Sequence, residues 1–180
     1  MSIKKKFFSL PKLRVSDVTI IAIMMALSFI LNKVGIHTQY IVITPTFIVT
    51  VLLCYLYGPI WMAIVLGITD ILFTFIGGSG LYIPGFTISA ILTGFIYGSF
   101  LFKDYQFKTR NLISAQIIIS LVIHIFLNTL WLTLYNGINW KVIIISRLIK
   151  ELILVPIQLI VLVGLFNIPT VQKLIKDHWN

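Results

Sequence analysis

The stretch that decides the fold is Val142–Phe166, VIIISRLIKELILVPIQLIVLVGLF, which is apolar along most of its length. A helix of this length rises about 1.5 Å per residue and crosses a hydrocarbon core about 30 Å thick. The whole chain has the same character, because 59% of its 180 residues are hydrophobic and 11% are charged. Its mean hydropathy is +1.05. A soluble domain of this size cannot hide so much apolar surface, which argues against a soluble enzyme or an aqueous nucleic-acid-binding protein.

Five more apolar segments precede this one. A backbone in lipid must satisfy its own hydrogen bonds, so all six segments are expected to be helices. The sequence therefore predicts an all-α integral membrane protein with six transmembrane helices. We expect a single membrane domain over residues 1–180, with no resident cofactor. The predicted spans are Val18–Val34, Ile41–Tyr57, Ile60–Ile76, Gly85–Phe102, Leu112–Leu134 and Val142–Phe166.

Basic residues are concentrated in segments that six spans place on one side of the membrane. Only Lys33 and Lys141 lie near span ends on the other side. By the positive-inside rule we expect both termini in the cytoplasm and a multi-pass protein of the cell membrane. The residues on the predicted cytoplasmic side are Lys4, Lys5, Lys6, Lys12, Arg14, Lys103, Lys108, Arg110, Lys173 and Lys176.

Polar side chains interrupt several spans near their predicted outer ends. Asp70 and Asn128 lie about 9 Å, and Arg147 about 8 Å, from those ends at the helical rise. Thr87 and Ser89 enter the fourth span from the same side. Charged groups at membrane depth normally face the protein interior or water. The pattern predicts a ligand pocket that opens outward above an apolar seal, although these groups could instead satisfy one another between helices.

The sixth span carries three charged residues on neighbouring helical positions. Arg147 and Glu151 are four residues apart, and Lys150 lies between them, so all three can share one face. One interpretation is a structural Arg147–Glu151 pair. The other is that Glu151 neutralises one cation while the second cation binds an anionic ligand, for which the fork of an arginine is suited.

The fifth span contains His124, Asn128 and Trp131, whose spacing places them on one stripe. With no Cys, Asp or Glu in this span, a metal site is disfavoured. A stripe of hydrogen-bonding groups beside a flat ring suits a flat heteroaromatic ligand. Alternatively, His124 makes an ordinary helix contact and Trp131 lies at the membrane interface. The glycine-rich loop before the fourth span adds Tyr82 and Phe86 as candidate binding residues.

Ala22 and Ala26 form a small-residue stripe on the first span. Such stripes let a second helix approach closely, either within the protein or from a partner membrane protein.

Taken with a six-span chain of this length, the Ala22–Ala26 pattern resembles the S components of energy-coupling factor (ECF) transporters, and more specifically the folate-specific ones. Three stretches carry the closer resemblance: Gly77–Ala90, Asn128–Leu132, and Arg147–Glu151 followed by Pro156-Ile-Gln158.

The resemblance implies that the chain captures folate from outside and docks on a transmembrane coupling protein with two cytoplasmic ATPases. ATP hydrolysis by those partners would reorient it and release the vitamin inside, and Ala22 and Ala26 would form the docking face. The substrate-binding residues expected are Asp70, Tyr82, Phe86, Thr87, His124, Asn128, Trp131, Arg147, Lys150 and Glu151.

Three other functions stay open at this stage. The chain could be an S component for another small vitamin such as pantothenate. It could be an autonomous ion-coupled transporter, although inverted repeats and helices broken at midplane are not evident. An integral membrane enzyme is disfavoured, because no Ser/His/Asp set, metal cluster or paired acid–base motif is present.

Overall fold

The computed structural model describes residues 12–37, 42–77, 82–102, 107–137 and 139–179. Within these ranges the chain is helical apart from one pair of two-residue strands. In chain order, the elements are α1 (Val15–Val34), β1 (Ile36–His37), β2 (Val42–Ile43), α2 (Phe47–Tyr57), α3 (Pro59–Gly77), α4 (Pro84–Leu101), α5 (Thr109–Ile118, the π-helical Ile119–Leu127 and Asn128–Asn136), α6 (Trp140–Asn167) and α7 (Pro169–Trp179).

Five of the described helices, α1, α3, α4, α5 and α6, are long and apolar enough to cross a membrane. Their large exposed side chains are also apolar, such as Leu152 and Ile160 on α6, which are 79% and 73% exposed. Exposed aliphatic surface of this extent is stable only against lipid. The all-helical, multi-pass membrane class predicted from the sequence is therefore confirmed at this level.

The second predicted span, Ile41–Tyr57, is wrong in its first part. Val42 and Ile43 form β2, which pairs antiparallel with β1 in the register Ile36↔Ile43, and α2 begins only at Phe47. The β-branched residues before Pro45 favour this extended pairing, and the proline lies in the turn that precedes the helix. As an 11-residue helix, α2 is only about 16 Å long, well short of a hydrocarbon core.

Helices α3 and α4 pack closely and antiparallel. Near one end, a Cβ atom added to Gly94 would overlap the carbonyl group of Met62, so only glycine permits this approach. Near the other end, Thr87 of α4 hydrogen-bonds Asp70 of α3. Because the residue numbers run in opposite directions along this contact, the Asp70–Thr87 pair lies where α3 ends and α4 begins.

The antiparallel arrangement of successive helices continues through the bundle. Trp131 near the end of α5 contacts Ser89 near the start of α4, and Arg147 early in α6 contacts the backbone of His124 late in α5. We call this end, where α1, α3 and α5 finish, the cavity end. At the opposite end, Gly58 with a φ of +83° makes the tight turn between α2 and α3.

The half of the bundle away from the cavity end is sealed by aromatic and polar contacts. Phe107 and Phe166 stack with ring centroids 4.4 Å apart. Tyr97 donates a hydrogen bond to Gln116 Oε1, and Gln116 Nε2 donates to Gln158 Oε1 over 2.6 Å. The predicted purely apolar seal is therefore wrong: three helices are joined there by uncharged polar groups that satisfy one another, as buried polar groups in membranes do.

Candidate functional site

A cavity of about 340 Å³ lies at the cavity end and is lined by residues of α1 to α5 and by Thr46, which precedes α2. Its volume falls in the range of small-molecule sites, about 300–1,000 Å³. The lining combines aliphatic and aromatic groups with hydroxyls, amides, a histidine and one carboxylate. These residues are Met25, Ser28, Asn32, Thr46, Thr50, Leu53, Val65, Leu66, Thr69, Asp70, Phe73, Phe86, Ser89, Ala90, Thr93, Ile123, His124 and Asn128.

Among the described residues that line the cavity, Asp70 is the one with an acidic side chain. Its Oδ2 atom accepts a hydrogen bond of 2.7 Å from Thr87 Oγ1, and the Thr87 hydroxyl lies 3.0 Å from Tyr82 OH. Tyr82 in turn stacks on Phe75, with ring centroids 5.7 Å apart. No described residue forms an ion pair with Asp70. The carboxylate is thus held in place from behind, and at the cavity it forms an ion pair with no cation in the described part of the chain.

Thr87 and Tyr82 were predicted as binding residues, and the structure places them behind Asp70 rather than in the lining. Phe86, also predicted, does line the cavity and supplies an aromatic wall. Phe86 and Thr87 differ in outcome because successive residues at the start of α4 point in different directions.

Two residues of the stripe predicted on the fifth span, Asn128 and His124, line the cavity from α5. Asn128 Oδ1 is buried and has no hydrogen-bond partner among the described residues. A buried amide oxygen left without a partner is costly, so it is well placed to accept a hydrogen bond from a ligand or water.

Trp131, the third member of that stripe, does not line the cavity. Its indole packs against Gly85, where an added Cβ would overlap the ring, and Nε1 donates a hydrogen bond of 3.2 Å to Ser89 Oγ. Since Ser89 itself lines the cavity, Trp131 supports the wall from the α5 side.

The three charged residues of α6 also lie outside the cavity lining, between α6 and α5. Lys150 Nζ is 2.7 Å from Glu151 Oε1, and Glu151 Oε2 accepts a hydrogen bond of 2.8 Å from Ser120. Arg147 NH1 donates over 2.7 Å to the backbone oxygen of His124. Thus Glu151 pairs with the adjacent lysine rather than with Arg147, and the predicted structural pair is replaced by two contacts from α6 to α5.

Several lining residues were absent from the predicted binding set, because single hydroxyls are common in membrane helices. A signal was nevertheless present, since polar residues recur four apart and therefore on one helix face. The pairs are Ser28 and Asn32 on α1, Thr46 and Thr50 around the start of α2, and Ser89 and Thr93 on α4.

Three further predictions concern segments at the edges of this site. From the sequence, the loop Asn32–Tyr40 could cap the mouth of the pocket; residues 38–40 of that loop and residues 78–81 of the glycine-rich loop lie outside the described residues. Ala22 and Ala26 lie on an exposed face of α1, where a partner helix can reach them.

Comparison with known proteins identifies relatives along most of the chain. Residues 16–166 match the model of the family described as ECF transporter, substrate-specific component. The folate transporter FolT of Clostridium novyi (strain NT) is 33% identical over 84% of this chain and 88% of its own length. The folate transporter FolT of Streptococcus mutans serotype c is 30% identical over 93% of this chain and 96% of its own.

A solved structure is similar over most of the chain. The crystal structure of FolT bound with folic acid superposes with a TM-score of 0.80 at 30% sequence identity, over 86% of this chain and 94% of that one.

Proposed function

This chain belongs to the ECF transporter substrate-specific component family, and we propose that it is the folate-binding subunit of an ECF importer. The proposal is supported by its relatives named folate transporter FolT and by its likeness to a FolT bound with folic acid. It also agrees with the chemistry of the cavity.

The observation that carries the proposal is the Asp70 carboxylate, which lines the cavity and has no ion-pair partner among the residues that the structure describes. The pyrimidine ring of a pterin presents a ring N–H and an exocyclic amino group side by side, and one carboxylate can accept hydrogen bonds from both. Charge-assisted pairs of this kind are stronger than neutral ones. Phe73 and Phe86 offer flat apolar surface, and Asn128 Oδ1 offers a further acceptor.

The glutamate tail of folate then extends toward the mouth of the cavity. Its two carboxylates would be unfavourable beside Asp70 deep in the site, because like charges repel strongly away from water. Lys33 at the end of α1 and Lys141 at the start of α6 are exposed basic residues at the cavity end. They give the tail a favourable potential near solvent.

ATP-driven transport requires partners. The sequence carries no phosphate-binding loop of the Walker type, so energy would come from two cytoplasmic ATPases through a transmembrane coupling protein. We assign the docking face for that protein to Ala22 and Ala26 on the exposed side of α1. The positive-inside bias places the cavity end outside the cell membrane and both termini inside.

Cysteine labelling tests this orientation, because Cys54 is the chain's single cysteine and is buried. In a Cys54→Ser background, Tyr135→Cys at the cavity end should react with an impermeant maleimide added to whole cells. Lys108→Cys at the opposite end should react only after the cells are permeabilised. The reverse labelling pattern would contradict the orientation.

Calorimetry on the purified chain tests the ligand. We expect saturable binding of one folate without any ATPase present, and no binding of pantothenate. Binding of pantothenate alone would remove the folate assignment while leaving the family. Uptake in cells that lack the ATPases would instead support an autonomous transporter.

A further inference from the structure

Helix α5 changes its hydrogen-bond pattern beside the cavity. Residues Ile119–Leu127 are π-helical, and the N–H of Asn128 donates to the carbonyl group of Ile123, five residues earlier. Long π-helical stretches are rare. Most π-helical segments are single turns within α-helices, and these turns frequently lie at functional sites. The residues that α5 contributes to the cavity, Ile123, His124 and Asn128, lie within this stretch or directly after it.

Two charged side chains of α6 hold the π-helical stretch. Glu151 accepts a hydrogen bond from Ser120, and Arg147 donates to the carbonyl oxygen of His124. Ser120 and His124 are four residues apart, as are Arg147 and Glu151, so the contacts form two successive rungs between antiparallel helices. Arg147 and Glu151 are only 7% and 5% exposed.

Glu151 and Arg147 each make a hydrogen bond to α5, while Arg147 Nε is buried with no hydrogen-bond partner among the described residues. The Arg147 bond to a backbone oxygen satisfies a carbonyl in a region where hydrogen-bond geometry is irregular, and it is charge-assisted. Lys150 neutralises Glu151 at 2.7 Å. Neither Arg147 nor Glu151 lines the cavity.

From this geometry we infer that Arg147 and Glu151 are positioning residues: they hold the π-helical stretch of α5 and so fix the face that His124 and Asn128 present to the ligand. Converting one π turn to α-helix would shift the following residues by one position, a rotation of about 100° about the axis. Asn128 would then leave the cavity wall. The inference rests on the proposed function, since the ligand used to test it is folate.

The test compares two ligands on matched variants. Pteroate has the pterin and the aminobenzoate of folate but lacks the glutamate tail. Arg147→Met removes the donor, Arg147→Lys keeps a cation at the same site, and Arg110→Met makes the same substitution at an exposed arginine of α5. Each Kd is measured by calorimetry on protein whose thermal unfolding confirms that it is folded.

A positioning role predicts that Arg147→Met raises the Kd of folate and of pteroate by the same factor, about tenfold for the loss of one hydrogen bond to a charged group. Arg147→Lys should recover part of the affinity, and Arg110→Met should change neither Kd. In an Asn128→Leu background, Arg147→Met should add little, because the residue through which it acts is already absent. A loss confined to folate would overturn the inference in favour of direct contact with the tail. Full additivity with Asn128→Leu would overturn it as well.

Hydrogen exchange on the ligand-free protein separates this inference from the proposed function. Ser120→Ala removes one rung by deleting a single oxygen and leaves all charges in place. We expect faster amide exchange in residues 119–128 of Ser120→Ala and Arg147→Met, with α4 unchanged. Unaltered exchange in both variants would refute the positioning role even if folate binds. If wild-type protein bound no folate, the proposed function would fall while this exchange result still decided the role of Arg147.

Discussion

Replacing Asp70 by asparagine removes one charge from the cavity and almost no volume. The Thr87 hydroxyl can still donate to the amide oxygen in place of Oδ2, so the side chain keeps its position. The side-chain NH₂ group then faces the ligand where a carboxylate oxygen stood. We expect Asp70 to accept hydrogen bonds from two N–H groups of the pterin. In the asparagine variant, one of these N–H groups faces the side-chain NH₂ group, which is also a donor, and the other faces a neutral acceptor.

The magnitude follows from these two contacts. A hydrogen bond to a charged group contributes about 1.5–3 kcal/mol, and a neutral one about half as much. Losing one contact and weakening the other costs about 3 kcal/mol, which corresponds to about a 150-fold higher Kd. Thr87→Val, which keeps the shape but removes the supporting donor, should cost about 1 kcal/mol, or about fivefold.

Calorimetric titration of the purified variants with folate measures both effects. Asp17→Asn is the matched control, because Asp17 lies near the start of α1, away from the cavity end. Asp17→Asn is expected to leave the Kd unchanged even if it lowers the unfolding temperature. A folded Asp70→Asn protein with wild-type affinity for folate would refute the assignment of Asp70 to the pterin.

Two other predictions concern docking and packing. Ala22→Trp or Ala26→Trp should abolish folate uptake in cells that contain the ATPases while the purified variant binds folate normally; normal uptake would remove the docking role. Gly94→Ala should lower the unfolding free energy by about 1–3 kcal/mol, because its new methyl group meets the Met62 carbonyl. Gly164→Ala, with open space around it, is the control, and equal thermal stability of the two variants would contradict the close α3–α4 contact.

Hydropathy predicted the long helices well because lipid imposes one length and one kind of surface on them. The predicted third span, Ile60–Ile76, corresponds to α3 at Pro59–Gly77. Hydropathy failed at Ile41–Tyr57, since an apolar run does not reveal whether its first residues pair as a strand. The β1–β2 register depends on residues 36–37, which the span prediction had assigned to a loop.

The sequence predicted the candidate site only at residues whose burial within a membrane has a large free-energy cost. A carboxylate in a membrane helix is expensive, and this singled out Asp70, which lines the cavity. The same rule selected Arg147 but could not give its partner. That partner, the backbone oxygen of His124, depends on a π-helical stretch for which side-chain spacing gives no signal.

The polar contacts of the sealed half were missed for a related reason. Gln116 and Gln158 carry no charge, so their cost in lipid is modest when they pair. Their pairing depends on the register between α5 and α6, which brings two residues far apart in the chain to within 2.6 Å. Only the three-dimensional arrangement reveals such a contact.

An experimental structure of this chain with folate bound tests the assignment of Asp70 to the pterin most directly. We expect a pterin in the cavity lined by α1 to α5, with its ring N–H and amino group on the Asp70 carboxylate and its glutamate tail toward the mouth. A folate molecule bound between α5 and α6 on Arg147, or a pterin out of hydrogen-bond range of Asp70, would contradict it.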